Sequence, residues 1–465
     1  MEGILVLQDF ITAHKSTFSD HTELRAQVNT SQRVVLLAGN MAANAQSSEG
    51  GVSARVYRGG LWGFASGAEY SPDSVKNVVS AATENAVFMD NQVKKGDPPL
   101  PSLGSGSVGL KTPVFDPVPQ SYLIDYAKTL DDIITRKYNN LASRTVVANF
   151  LGMEKRLVVS DGVDSHLFQP RSSILVFLTA ENNEGVPIEL FESFSMFGKF
   201  DELYPDPKLL EEKLDELYKT LMDQRDAVYA RAGVSKCILH PDLAGMLAHE
   251  AVGHTVEADL VLGGSVAGYN LDKQVASELV TMVDYAHTYD GKAAPLPVYV
   301  DDEGTPAEDA MLIEKGVLRG FMHNRDSANH FGVKPQGNAR AFEFSDEPLI
   351  RMRNTAILPG KDKLDDLIAS VDDGYFLVKT GNGQADSTGE FMFSVNVAYE
   401  IKKGKLGKAV RETTISGVAF DMLKTVDMVS DDMSWNISGF CGKKQAMTTG
   451  MGGPALRCDI NIGGR

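Results

Sequence analysis

Cysteine is scarce in this chain. Only Cys237, Cys441 and Cys458 occur among 465 residues. Three scattered thiols exclude a disulfide framework and point to a reducing compartment. Long apolar runs are also missing. No stretch approaches the roughly 20 residues that cross a bilayer as a helix. The N-terminus offers only Ile4-Leu5-Val6-Leu7 and no basic start, unlike a signal peptide. These absences predict a cytoplasmic protein with no membrane association. Positive charge is in deficit as well, with 45 Lys and Arg against 62 Asp and Glu, a net −17. Such a chain is repelled by phosphate backbones, so no direct nucleic-acid partner is expected. Basic patches such as Lys402-Lys403-Gly404-Lys405 and Lys443-Lys444 are short and read as turns.

What remains is an ordinary globular composition, 43% hydrophobic and 23% charged, in a chain long enough for two or three domains. Strands are expected at 22–28, 33–37 and 51–57, separated by turn-forming Asn, Ser and Gly. Helices are expected at about 74–92 and 119–138. A Gly, Pro and Ser-rich loop at 94–117 reads as a linker and a possible break between subdomains. Leucines at 210, 214, 217 and 221 mark the buried stripe of a helix over 207–232. Beyond Leu262 short strands dominate, with one more short helix near 361–370. The predicted class is α+β. An N-terminal α/β domain with flanking helices spans 1–232. A C-terminal, mostly antiparallel β barrel or sandwich spans 233–465 and carries the helix described next.

That helix contains His249-Glu250-Ala251-Val252-Gly253-His254, with Asp242 as the expected N-cap. Two neutral imidazoles and a neighbouring carboxylate are what hydrolytic zinc chemistry requires. The familiar helical arrangement puts the histidines four apart, on one face. Here they are five apart, about 140° around a regular helix by its 3.6-residue period. A π-bulge would return both rings to one side, and Gly253 is where the backbone yields most easily. A catalytic zinc needs a third protein ligand. Glu257 and Asp259 follow closely on the same segment, and Cys441 sits in a glycine-flanked loop. Chemistry alone does not choose between Cys441 and Glu257. Cys237 and Cys458 lie among apolar neighbours and read as core.

Several separated stretches together resemble the TldD/PmbA family, called modulators of DNA gyrase by old name and metallopeptidases by chemistry. They are Glu23-Leu24-Arg25, Gly51-Val52-Ser53-Ala54-Arg55-Val56-Tyr57, the histidine motif with Glu257-Ala258-Asp259, and Asp301-Asp302-Glu303-Gly304-Thr305-Pro306. Gly337-Asn338-Ala339-Arg340, Arg351-Met352-Arg353-Asn354-Thr355, Thr388-Gly389-Glu390-Phe391 and Cys441-Gly442-Lys443 complete the set. The intact motif is similar to that of the TldD-like, catalytic kind of subunit rather than the PmbA-like kind, which lacks it. The resemblance implies that His249, His254 and Cys441 bind Zn2+ and that Glu250 is the catalytic carboxylate. It also implies a peptide substrate, held extended, and a PmbA-like subunit or a second copy of the chain as partner.

Glu257 and Asp259 are expected to orient an imidazole rather than to ligate. Arg340 is read as either a grip on a peptide carboxylate or carbonyl, or a structural salt bridge. His323 and His330 are read as either oxyanion stabilisers or solvated loop histidines. Two rival functions remain: a non-enzymatic regulatory protein with a structural zinc, and a zinc amidase acting on a small molecule. A closed four-ligand site marks the first of these, whereas three ligands and an open position mark an enzyme.

Overall fold

The computed structural model describes residue 15 and residues 18–96, 99–101, 103 and 108–463. The N-terminal residues that bear on a signal peptide, and positions 97, 98, 102 and 104–107 of the expected linker, lie outside that set.

Long antiparallel strands organise the N-terminal half. They are β1 (His21–Leu37), β2 (Asn40–Arg58), β3 (Leu61–Gly67), β5 (Ser143–Val159), β6 (Asp164–Glu181) and β7 (Pro187–Phe197). The short β4 (Val108–Lys111) adds a parallel pairing to the start of β6, giving the order β3-β2-β1-β5-β6-β4 with β7 also on β6. The two strands expected at 22–28 and 33–37 are one. Asn29, Thr30 and Ser31 pair with β2 on one side and with β5 on the other. Their backbone groups are thereby satisfied in the ladder, which removes any advantage of a turn there.

Alternation along β1 divides the sheet. Leu24 and Ala26 pack under helix α1 (Pro72–Val93), while Val34 and Leu36 pack under α2 (Gln120–Lys137). Ser71 caps α1 by accepting from the Ser74 amide, with Pro72 in the first turn. The leucine stripe at 210, 214, 217 and 221 joins the same core as α2. Its helix is shorter than expected: a 3₁₀ turn at Pro207–Leu210 leads into α3 (Glu211–Gln224). Past it the chain straightens, and the Val228 amide donates to the Ala409 carbonyl.

In the C-terminal half five strands close into a barrel. Around it run Asp373–Ala385, β8 (Gly233–Leu239), Leu456–Ile462, Thr413–Val418 and Glu390–Lys402, the last pairing back to the first. A separate six-stranded sheet includes Met282–Tyr285, Asn354–Ile357 and Gly450–Gly453. Cys237 and Cys458 face each other across barrel strands, both buried and unpaired, as core residues. The architecture is α+β, and among the described residues no helix is long and apolar enough to cross a membrane.

The two halves meet through charge. Odd-numbered residues of β1 face the C-terminal half, and several are buried. Arg55 pairs with Glu23 at 2.9 Å and also with Glu303. Lys155 holds Asp302 at 2.8 Å and the Ala341 carbonyl at 2.6 Å. Arg25 donates to the Asp346 carbonyl at 2.6 Å. The stretches Glu23-Leu24-Arg25 and Asp301-Asp302-Glu303 are therefore two sides of one clamp.

Candidate metal centre

Strand β8 runs directly into helix α4 (Pro241–Leu247), which starts with proline in its first turn. The N-cap is His240 rather than Asp242: the His240 ring nitrogen Nδ1 accepts from the Asp242 amide at 3.3 Å. Asp242 instead accepts from the Ser434 hydroxyl at 2.6 Å. Leu243, Leu247, Ala251 and Val252 share one apolar cluster with barrel residues such as Phe391 and Phe393. A Cβ on Gly245 would lie 3.0 Å from the Gly452 amide, so this residue lets the helix approach that strand closely.

Over Ala248–Gly253 the helix widens to π geometry, then tightens to 3₁₀ over His254–Val256. The extra residue is absorbed as the five-residue spacing requires. Gly253 does not do this through backbone freedom, because its φ of −52° is ordinary helix. Its role is space: a Cβ there would stand 2.1 Å from Met352 Sδ.

The wider turn brings the two imidazoles together, with ring centroids 5.3 Å apart. Cys441 reaches them from the hairpin Phe440–Lys443 and Gln445–Thr448, placing Sγ 3.2 Å from His254 Nε2. Donor atoms of His249, His254 and Cys441 all lie within 4.8 Å of one another. Ligands on a tetrahedral zinc stand about 3.4–3.6 Å apart, given bonds near 2.0–2.3 Å, so this donor set fits the ion. Glu250 sits beside both rings, 3.9 Å from His249 Nε2 and 3.8 Å from His254 Nε2.

The electrostatics treat the two rings differently. Burial, with His254 and Arg351 adding to it, pushes His249 well below its ordinary pKa and keeps its ring neutral. Burial opposes protonation of His254 too, but the Cys441 thiol and the Glu257 carboxylate outweigh it and raise the ring to about 10. Burial also raises Glu250, against the pull of His254. Glu257 receives His254 Nδ1 at 2.9 Å, which leaves Nε2 facing Cys441. Thus Cys441, not Glu257, completes the donor cluster. Asp259 does not touch an imidazole; it holds Lys443 at 2.7 Å, and Lys443 also reaches Glu257 at 3.2 Å.

Arg340 and His323 lie apart from this cluster. Arg340 is buried and donates to the carbonyls of Met352 and Thr448 at 2.7 and 2.9 Å, a framework role. His323 contacts the Ser327 hydroxyl at 3.1 Å, and burial lowers it to about 4. His330 is exposed against Phe331. Two residues inside the stretches that carry the resemblance take positioning roles that sequence reasoning did not give them. Arg351 donates to the Cys441 carbonyl at 2.7 Å and to the Gln445 carbonyl at 2.9 Å, pinning the hairpin that carries the thiol. Lys443 ties the same hairpin to Glu257. The signal was present in the alternation Arg351-Met352-Arg353, where charged residues flank an apolar one in a buried strand-like run.

The chain is similar to known proteins along most of its length. Residues 232–464 match the PmbA/TldA metallopeptidase C-terminal domain, and residues 22–86 match domain 1 of the same metallopeptidases. A metalloprotease from Methanothermobacter thermautotrophicus is 29% identical over 443 residues, 94% of each chain. A zinc metalloprotease TldD homolog from Saccharolobus solfataricus is 32% identical over 323 residues, 68% of each chain. With the metalloprotease TldD homolog of Buchnera aphidicola the identity is 38% over 240 residues, about half the length of that relative (49%). The crystal structure of TldE from Thermococcus kodakarensis shares the fold, with a TM-score of 0.76 over 98% of this chain and 99% of that one at 17% identity.

Proposed function

The chain belongs to the PmbA/TldD metallopeptidase family, and from that premise we propose that it hydrolyses short or unfolded peptides at a zinc ion held by His249, His254 and Cys441. The observation that carries this reading is the convergence of three donors with Glu250 within 4 Å of both imidazoles. Three protein donors are the catalytic complement, whereas structural zinc takes four.

When bound, zinc supplies Lewis acidity that polarises a carbonyl and brings the pKa of water toward neutrality. Glu250 takes the proton of water as its oxygen adds to the peptide carbonyl carbon. It then returns that proton to the amine nitrogen as the C–N bond breaks, releasing an acid and an amine. A carboxylate whose pKa is raised by burial suits a group that holds a proton between two steps near neutral pH. Glu257 orients His254, and Lys443 and Arg351 steady the hairpin behind Cys441.

The peptide lies extended on this reading, with its main chain paired to a strand edge. Strand Asp373–Ala385 offers one. It pairs with β8 from Gly374 to Leu377, at the point where β8 gives way to the motif helix, and its remaining pairings are with Glu390–Lys402 on the other side. A PmbA-like subunit or a second copy of this chain is the proposed partner. The deciding experiment loads the purified protein with zinc and measures cleavage of an unstructured peptide. Glu250→Gln should lower kcat by about 10²–10⁴-fold with zinc content unchanged. Full activity in that variant, or equal cleavage of a folded, disulfide-locked form of the peptide, would defeat the reading.

A further inference from the structure

The face of the N-terminal sheet that meets the C-terminal half changes along its length. At one end it is the charged clamp of Arg25, Arg55 and Lys155. Further along, the same alternation brings Ser31, Asn149, Arg171 and Ser173 to one wall of an open cleft of about 500 Å³. Phe342 and Phe440 stand on the other wall.

Arg171 is anomalous among the buried arginines. Arg25, Arg55, Arg325, Arg340, Arg351 and Arg353 each donate to a carboxylate or a main-chain carbonyl. Arg171 is only 7% exposed, yet its Nε has no hydrogen-bond partner, and no ion pair is made by it among the described residues. Its guanidinium lies 5.0 Å from the centre of the Phe440 ring. Burial lowers it to about 10, so it is still cationic at neutral pH. A buried, unneutralised cation is expensive, and in a ligand-binding protein it marks a place for an anion. The surroundings suit a negative charge: the buried Arg171 guanidinium lies beside neutral hydroxyl and amide groups, with apolar rings opposite and the exposed Arg33, which donates to Asn149 at 3.2 Å, on the same wall. Exposed Glu49 and Glu343 at the mouth work against more highly charged ligands.

We propose that this cleft is an exosite for the C-terminal carboxylate of a bound peptide, with Arg171 as the charge partner and Phe342 and Phe440 receiving an apolar terminal side chain. The proposal rests on the peptidase reading for the identity of the ligand. Adjacent strand residues point to opposite faces, so Phe440 faces the cleft while Cys441 faces His254. The anchor is therefore behind the hairpin and separate from the metal cluster. It acts on affinity, and hence on KM, rather than on kcat.

Equilibrium binding tests this without turnover. A peptide labelled at its N-terminus and ending in leucine is prepared as the free acid and as the C-terminal amide, and each is titrated by fluorescence anisotropy into the full-length Glu250→Gln protein. The free acid should bind about tenfold more tightly, the scale of one charge-assisted hydrogen bond. The preference should shrink toward unity in the additional variant Arg171→Gln and survive in part in Arg171→Lys. Equal binding of acid and amide to the protein with Arg171 intact overturns the exosite, and that comparison needs no change at Arg171. A preference undiminished in Arg171→Gln overturns it too. Acid-selective binding that depends on Arg171, combined with no cleavage by the unaltered enzyme, sinks the hydrolytic reading and leaves the exosite standing.

Discussion

At the scale of single residues, His254 shows how a proton and a metal compete for one nitrogen. Without zinc its ring is held protonated by the Cys441 thiol and the Glu257 carboxylate, against the cost of burial, up to about pH 10. The folded pKa exceeds the unfolded value of 6.5. These contacts therefore stabilise the metal-free fold fully below pH 6.5, and their contribution is lost as pH rises through about 10. Zinc requires the neutral ring, so the sign reverses for binding. Zinc affinity should climb between pH 7 and 10. Calorimetry at pH 7, in buffers of differing ionisation heat, should read at least one proton released per zinc. Uptake without proton release would contradict this assignment of His254. The motif residues were legible from their spacing, but the choice between Cys441 and Glu257 was not. The sulfur that meets His254 is 187 positions away in the chain, and nothing local records that approach.

At the scale of elements, the π turn is where the local pattern spoke most directly. A spacing of five demanded a wider helix, and the helix is wider at Ala248–Gly253. The reason for Gly253 was misread, because the need for space comes from Met352, in the segment between two strands about a hundred residues away in the sequence. Gly253→Ala should therefore cost about 1–3 kcal/mol, as overpacking does, with lower zinc content in the purified protein. Urea denaturation measures the first and metal analysis the second. Adding Met352→Ala should recover part of both, and no recovery would mean the glycine serves the backbone after all. The continuous β1 teaches the same lesson. Asn29, Thr30 and Ser31 favour a turn only when nothing pairs with them, and here β2 and β5 do.

At the scale of the whole molecule, the stretches that carry the family resemblance divide into two jobs. Some bring the donors together, whereas Glu23, Arg25, Arg55, Asp302 and Glu303 hold two halves of the chain against each other. Arg55 is 3% exposed and pairs with both Glu23 and Glu303. Removing it strands two buried carboxylates. Arg55→Met should then lose about 3–5 kcal/mol, the usual cost of breaking a buried ion pair from one side. The denaturation midpoint reads this, and a change below about 1 kcal/mol would show that the clamp is solvated in solution.

Local spacing and composition were enough to single out the histidine pair, the π-helical turn, the buried leucine stripe and the α+β class. These are set by short-range periodicity and by which atoms a residue type carries. The approach of the Cys441 sulfur to His254, which the family resemblance implied but spacing did not, joins the hairpin pinned by Arg351 and Lys443, the framework role of Arg340 and the unpaired guanidinium of Arg171 as features that only the tertiary structure could place. Each depends on strand register and on how the two halves dock, and those are settled by burial summed over the whole chain.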